Sequence, residues 1–346
     1  MSGPGLSDRI AAFSRLGEVM MDACSSDPVS PQGSKLRELA LNLYKSNPWF
    51  IPQFVINSIE ALALNLKEDI LEKWLAPYSV DQQNRHILKF GVVMAGNIPL
   101  VGFHDFLSVL ITGNIFLGKT SSKDTELINA LASILIETDP RFKDYIILKE
   151  DTIDGFDAVI ATGSNNSSRY FEYYFGSKPH IFRKNRNSAA IIDSETEDYD
   201  LEKLGKDIFY YFGLGCRSVS KLYLPADFKI NRLKNNWTAY SDLLSYIPYH
   251  NNYKYNKALY SLENKAYYDH GLVLLKEDAG FSSPVSVLNY SLYKNEKEIK
   301  TDLEIRKDQI QTIVGKGYTP FGMSQFPALN DYADGIDTIK FIQNLS

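Results

Sequence analysis

Cys216 is the residue of this chain whose type and surroundings best suit covalent chemistry. It stands in Gly213-Leu214-Gly215-Cys216-Arg217-Ser218, between a helix-like aromatic run at 209–212 and an apolar, strand-like run at 220–224. A thiol on such a turn is open to a substrate and close to backbone N–H groups, which favour the attacking thiolate. The competing reading is a buried cysteine that behaves as a small hydrophobe. Three further sites precede it in the chain. Asn97, in Gly96-Asn97-Ile98-Pro99, follows a strand-like run. Its amide could serve a developing oxyanion together with the Cys216 N–H, at about 3 kcal/mol per donor, or it could simply cap the next helix. Lys119, in Gly118-Lys119-Thr120-Ser121, ends another apolar run. It suits a nucleotide's ribose or phosphate, against the plainer reading of a solvated lysine. Thr162-Gly163-Ser164 ends a third run and can offer N–H groups to a diphosphate.

These residues need a scaffold, and the pattern supplies one. Strand-like runs at 87–94, 114–118, 145–148 and 158–161 alternate with helical runs at 103–111 and 124–137. That alternation predicts a parallel sheet with crossover helices and ligands at the carboxyl ends of the strands. The first eighty residues read as helices, with apolar spacing at 36–44 and 55–75 broken by Asn47-Pro48. Later strands are expected at 220–224, 273–275 and 285–290, with a charged helix at 295–300. The acidic stretch 195–200 marks a lobe boundary. The expected division is therefore 1–84 as a helical segment, 85–200 as a nucleotide-binding α/β lobe, 201–320 as the cysteine lobe and 321–346 as a return segment.

Bulk properties narrow the function. The 346 residues are 44% apolar and 23% charged, as in ordinary globular proteins. A net charge of −5 argues against nucleic-acid binding by phosphate neutralisation. Two cysteines in unrelated segments, Cys24 and Cys216, fit a reducing cytoplasm, and no metal is expected. The start at 1–5 reads as an appended or flexible lead, and no signal peptide is visible. No run is long enough to span a membrane, since that at 101–117 is interrupted by His104, Asp105 and Asn114. Aromatic content is high, with 22 Tyr and 19 Phe. Such clusters are more often core or interface than channel, although the one beside Cys216 suits a long apolar substrate. The Tyr-rich segment 246–260 reads equally as a substrate lid or an assembly surface.

The order amide, lysine, glycine turn, cysteine resembles the aldehyde dehydrogenase superfamily, and within it the acyl-CoA reductase branch of LuxC-type fatty acid reductases. The segment 213–218 resembles that branch's nucleophile segment, and 320–338, from Pro320-Phe321-Gly322-Met323-Ser324-Gln325 onward, resembles its closing motif. The resemblance covers about residues 85–345. It implies an aldehyde-dehydrogenase-like fold of two α/β lobes, Rossmann-like and catalytic, with the nicotinamide reaching Cys216 in the cleft between them. It implies Cys216 as acyl acceptor, Asn97 as oxyanion donor, Lys119 at the adenosine ribose, and Thr162, Gly163 and Ser164 beside the diphosphate. Where NAD-preferring relatives often carry a glutamate, this chain has Ser122, followed by Lys123. Losing that carboxylate removes repulsion toward a 2′-phosphate, so NADPH is the expected cofactor and NADH the second option.

The family's general base has no clean counterpart. Its usual segment is replaced by Phe182-Arg183-Lys184-Asn185-Arg186-Asn187, and Glu277 is the nearest later candidate. Hydrolysing a thioester needs a base to activate water, whereas reducing one does not. The expected reaction is therefore reduction of an activated, fatty acyl thioester to the aldehyde. The donor would be an acyl-CoA or acyl-protein, with an acyl-protein synthetase partner as in luminescent relatives, and a homo-oligomeric state. Two rivals remain at this level. One is NAD(P)-dependent aldehyde oxidation or acyl-phosphate reduction. The other is an acyl-carrying subunit or scaffold without redox activity.

Overall fold

In a computed structural model that describes residues 3–80 and 86–345, the chain forms two units, Met1–Lys184 with Ala328–Ser346, and Asn185–Pro327. The first unit begins with four helices, α1 (Leu6–Cys24), α2 (Pro31–Asn42), α3 (Pro52–Ala63) and α4 (Glu68–Leu75). Proline stands in the first turn of α2 and of α3, where its missing N–H costs nothing. The lead-in is tied down from Gly3 onward: Pro4 is buried, and its carbonyl accepts from Arg9 Nη1 at 2.8 Å.

A parallel sheet follows, built from β1 (Lys89–Val93), β2 (Ile115–Lys119), β3 (Ile146–Lys149), β4 (Ala158–Thr162) and β5 (His180–Arg183) in the order β3-β2-β1-β4-β5. Its helices are α5 (Phe103–Ile111), α6 (Thr125–Thr138), α7 (Asn165–Phe175) and the late α12 (Thr338–Gln343). The four expected strands appear within two residues of their predicted bounds. α5 is mostly apolar and almost wholly buried, as a helix packed from every direction should be, with Asp105 as its one buried charge. Phe13 and Leu16 of α1, Val55 and Ile59 of α3, Phe106 of α5 and Phe90 and Ile160 of the sheet share one core, so the leading helices fold with the sheet. The opposite sheet face buries Leu117, Phe156 and Val159 against Phe171 and Phe175 of α7.

The second unit holds β6 (Asn187–Ile191), α8 (Asp198–Phe209), β7 (Val219–Pro225), α9 (Asn231–Asn236), α10 (Ile247–Leu262), β8 (Tyr268–Asp269), β9 (Leu274–Glu277), β10 (Val287–Tyr293), α11 (Glu296–Ile305) and β11 (Ile310–Val314). Its six strands run β11-β6-β7-β10-β9-β8, parallel except for β8. The unit boundary falls after Lys184, ahead of the acidic stretch, because β6 pairs with β7 and β11. The acids instead open α8, with Asp198 and Asp200 in its first turn, where negative charge meets the positive end of the helix dipole. The C-terminal return divides as well: the stretch to Pro327 belongs to the second unit, and Ala328 onward to the first. The Tyr-rich segment resolves as the core face of α10. Tyr249, Tyr253 and Tyr260 are buried at helical spacing, Tyr253 donates to Asp269 Oδ1 at 2.5 Å, and only Tyr255 of these four is exposed. No helix among the described residues is long and apolar enough to cross a membrane.

Candidate functional site

In the first unit the strand order reverses at β1: β2 and β3 lie on one side, β4 and β5 on the other. Open parallel sheets bind ligands outside the carboxyl ends of the strands at such a reversal. Asn97 follows β1, Lys119 ends β2 with Ser122 and Lys123 after it, and Thr162 ends β4 with Gly163 and Ser164 after it. The fold thus gathers all of these predicted residues at one edge, on three neighbouring strands. Asn97, Ser122, Lys123 and Ser164 are exposed there, and Lys119 is half-buried with Nζ donating to Glu150 O at 2.8 Å.

Steric constraints explain two of the glycines. A Cβ on Gly96 would lie 2.7 Å from Ser121 Cβ and 3.1 Å from Lys123 Cβ, so glycine lets the turn after β1 lie against the loop after β2. A Cβ on Gly163 would lie 2.8 Å from Ser167 Cβ and 2.9 Å from Phe171, so this glycine serves the packing of α7 onto its strand. Ser164 caps α7, its Oγ accepting from Ser167 N at 3.2 Å. The N–H groups of that first turn and the macrodipole together favour an anion.

Sequence reasoning missed what fixes these loops. Asp124 precedes α6 at its N-cap position, yet its side chain makes no capping bond. It turns instead to the neighbouring loop, where Oδ2 accepts the Leu100 N–H at 2.6 Å and holds that residue in a left-handed conformation with φ of 58°. Asp124 is 8% exposed, and its Oδ1 has no partner among the described residues. Burial pushes its carboxyl up to about 8, with the single Leu100 N–H pulling the other way. Two contacts from the helical segment complete the frame: Ser58 Oγ donates to Pro99 O at 2.8 Å, and Asn47 Nδ2 donates to Lys123 O at 3.2 Å. The leading helical segment thus holds both loops.

In the second unit Cys216 lies on a turn between α8 and the amino end of β7, half-buried and outside any disulfide. The aromatic run before it is not a continuing helix. Tyr211 and Phe212 take φ of 54° and 55°, values that cost bulky residues about 1–3 kcal/mol each. Ring burial holds them there: Phe212 packs 5.6 Å from both Tyr246 and Tyr249. Ser188 Oγ donates to Cys216 O at 2.8 Å. Glu277 is not brought to this turn. It pairs with Tyr290, which is level with Leu222, so it lies two strands over and toward the other end of the sheet from Cys216.

The closing motif does approach Cys216. Gly322 N and Ser324 N donate to the two oxygens of Asp207 on α8, at 2.6 and 2.9 Å, and Gln325 Nε2 donates to Ser218 Oγ at 3.3 Å. Burial pushes the Asp207 carboxyl up to about 6, against the pull of those two N–H groups. A cavity of about 910 Å³ opens at the carboxyl ends of β6, β7 and β10, away from the cysteine. Its charged lining is largely self-paired, Lys316 with Glu195 and Lys300 with Glu296.

Comparisons with known proteins identify the family and the fold. Residues 37–239, more than half of the chain, match the model of the acyl-CoA reductase (LuxC) family. That span contains Asn97, Lys119, Ser122, Lys123, Thr162, Gly163, Ser164 and Cys216, but not Glu277 or the closing motif. A long-chain acyl-protein thioester reductase of Aliivibrio fischeri is 27% identical in an alignment of length 195 that covers 50% of this chain and 39% of that protein. The match thus spans well under half of the relative's length. Aldehyde dehydrogenase 21 from Physcomitrella patens, solved with succinate, superposes with a TM-score of 0.61 at 14% identity, covering 96% of this chain and 83% of that one. An aldehyde dehydrogenase from Mycobacterium tuberculosis, solved with NAD+, gives a TM-score of 0.55 at 14% identity, covering 87% and 76%. At such identities the likeness is one of fold, and the fold is aldehyde-dehydrogenase-like.

Proposed function

The chain belongs to the acyl-CoA reductase (LuxC) family, and from that premise we propose that it reduces an activated fatty acyl thioester to the aldehyde through an acyl-enzyme on Cys216. The reading is supported above all by one observation: a half-buried cysteine on a turn before β7 and a set of nucleotide-type loops on one sheet edge both fall inside the family match. The residues at that edge fit a nicotinamide dinucleotide. The helix N-terminus at Ser164 suits its diphosphate, Lys119 its ribose, and the exposed Ser122 and Lys123 a 2′-phosphate, so NADPH is the proposed cofactor.

In the proposed reaction the Cys216 sulfur adds to the acyl carbonyl carbon, and the donor's thiolate departs as the carbonyl re-forms, leaving an enzyme thioester. The Cys216 N–H is the proposed donor to the oxyanion, at about 3 kcal/mol. The reduced cofactor, when bound, supplies the hydride that brings the acyl carbon to the aldehyde level. Release of the aldehyde returns Cys216 as a thiolate. No water is activated, so the placement of Glu277 away from the cysteine leaves no step short of a base. The acyl group is proposed to arrive from CoA or from an acyl-protein partner.

The test is NADPH and NADH consumption with a panel of acyl-CoAs, beside Cys216→Ala and with aldehyde trapped chemically. Turnover to aldehyde that vanishes in the variant is expected. Carboxylate made from aldehyde would favour the oxidising reading, and an acyl adduct with no cofactor consumption would favour a carrier.

A further inference from the structure

The segment 320–327 shows an inverted burial pattern. Met323 is 45% exposed, while its polar neighbours Ser324 and Gln325 are 1% and 7% exposed. A segment kept only for packing would bury the methionine and leave the amide and hydroxyl in water, because burying polar groups carries a cost unless hydrogen bonds offset it. Here the Gln325 amide and the backbone N–H groups of the segment form a chain of contacts that ends beside the nucleophile, while the Ser324 hydroxyl has no partner among the described residues. Asp207, fully buried on α8, receives both Gly322 N and Ser324 N, so one carboxylate fixes the backbone of the segment at two points. The next residue, Gln325, donates to Ser218 Oγ, and Ser218 is 1% exposed, two residues after Cys216. From the opposite side, Ser188 holds the carbonyl of Cys216 itself. The turn is therefore clamped by polar contacts from β6 and from the closing segment, both within the second unit.

We propose that Asp207 and Gln325 are positioning residues for Cys216: the buried carboxylate fixes the closing segment, and the segment fixes the turn on which the sulfur stands. The proposal rests on the reading of Cys216 as the nucleophile. Neither residue touches the reacting atoms. Their effect is exerted through the placement of the sulfur, where a displacement of about 1 Å can cost roughly 100-fold in rate.

The test uses the full chain in a Cys24→Ser background, so that Cys216 is its sole thiol; Cys24 is itself half-buried, with its thiol pushed up to about 11. Two quantities are measured: steady-state kinetics with acyl-CoA and NADPH, and the rate of Cys216 alkylation by iodoacetamide, followed by intact mass. Gln325→Leu keeps the volume and removes the link to Ser218. It is expected to lower kcat about tenfold, leave the cofactor KM within about twofold, and change the alkylation rate by about threefold or more. Gln325→Glu, whose carboxylate can accept the Ser218 O–H, is expected to recover most of both effects. Asp207→Ala is expected to match Gln325→Leu in kinetics and to lower Tm as well. The proposal is overturned if Gln325→Leu keeps the parent kcat and alkylation rate, or if Gln325→Glu is no better than Gln325→Leu. Absence of turnover in the parent protein would count against the reductase reading, and the alkylation rates would then decide the positioning by themselves.

Discussion

Each unit ties a loop to its scaffold with a buried aspartate, and the two aspartates are served differently. In the first unit Asp124 receives one N–H, from Leu100, and its second oxygen has no partner among the described residues. In the cysteine unit Asp207 receives an N–H on each oxygen. Burial raises both carboxyls, but the second donor favours the anion, so Asp207 reaches only about 6 while Asp124 reaches about 8. Near neutral pH the closing segment is therefore held by an anion and the Asn97 turn by a neutral acid. A third buried carboxylate, Asp105, has the strongest partner: Arg183 Nη2 donates to it at 2.8 Å and also reaches Thr338 Oγ1 at 3.1 Å. The number of donors decides what state Asp124 and Asp207 can keep inside the protein.

The largest effect is expected at the fully paired site. Arg183→Met strands the Asp105 carboxylate in a buried position and should cost about 3–5 kcal/mol in denaturant unfolding. A loss below about 1 kcal/mol would mean that the ranking by donors does not hold. Asp207→Ala comes next. It leaves two buried N–H groups without acceptors, at about 1–3 kcal/mol each, and should lower the unfolding midpoint accordingly.

The comparison sharpens with pH. A carboxyl raised above its unfolded value near 3.8 adds stability that is complete below that value and is lost as pH rises through the folded value. Asp124 should therefore cost the chain stability progressively from about pH 4 to about 8, and Asp207 over the shorter span to about 6. Asp124→Asn keeps an acceptor for Leu100 and removes the ionisation, so its urea midpoint at pH 8 should exceed that of the parent. Equal slopes in the two proteins would show that Asp124 does not titrate in this window. The smallest effect is expected from Ser58→Ala, which removes one buried bond to the turn after β1, at about 1 kcal/mol.

The scaffold was legible where sequence and burial agree. β1, β2 and β4 are apolar runs that end at glycine, asparagine or lysine, and their ends placed Asn97, Lys119 and Gly163 on one edge from the pattern alone. β5, β6 and β11 escaped notice because they are short and carry His180, Asn187, Ser188 and Gln311 among their few apolar residues. The supporting aspartates were missed for a related reason. A charged residue in a helix reads as part of the solvated face, yet Asp207 follows Leu201 and Leu204 on the buried stripe of α8. An acid at an apolar position of a helix was a usable signal, because such a group must find donors inside. The register that separates Glu277 from Cys216 depends on pairing between strands distant in sequence, which no local pattern records.

The first unit is assembled from both ends of the chain, and this bears on the order in which the protein becomes itself during synthesis. Residues 185–327 form the continuous unit and are complete before α12 is made. The first unit emerges before the second but lacks Ile339 and Ile342 of its core, and Arg183 lacks Thr338, until the ribosome has passed the whole of the second unit. The half that begins first therefore finishes last, and its unfilled apolar groove is what a chaperone would meet on the nascent chain.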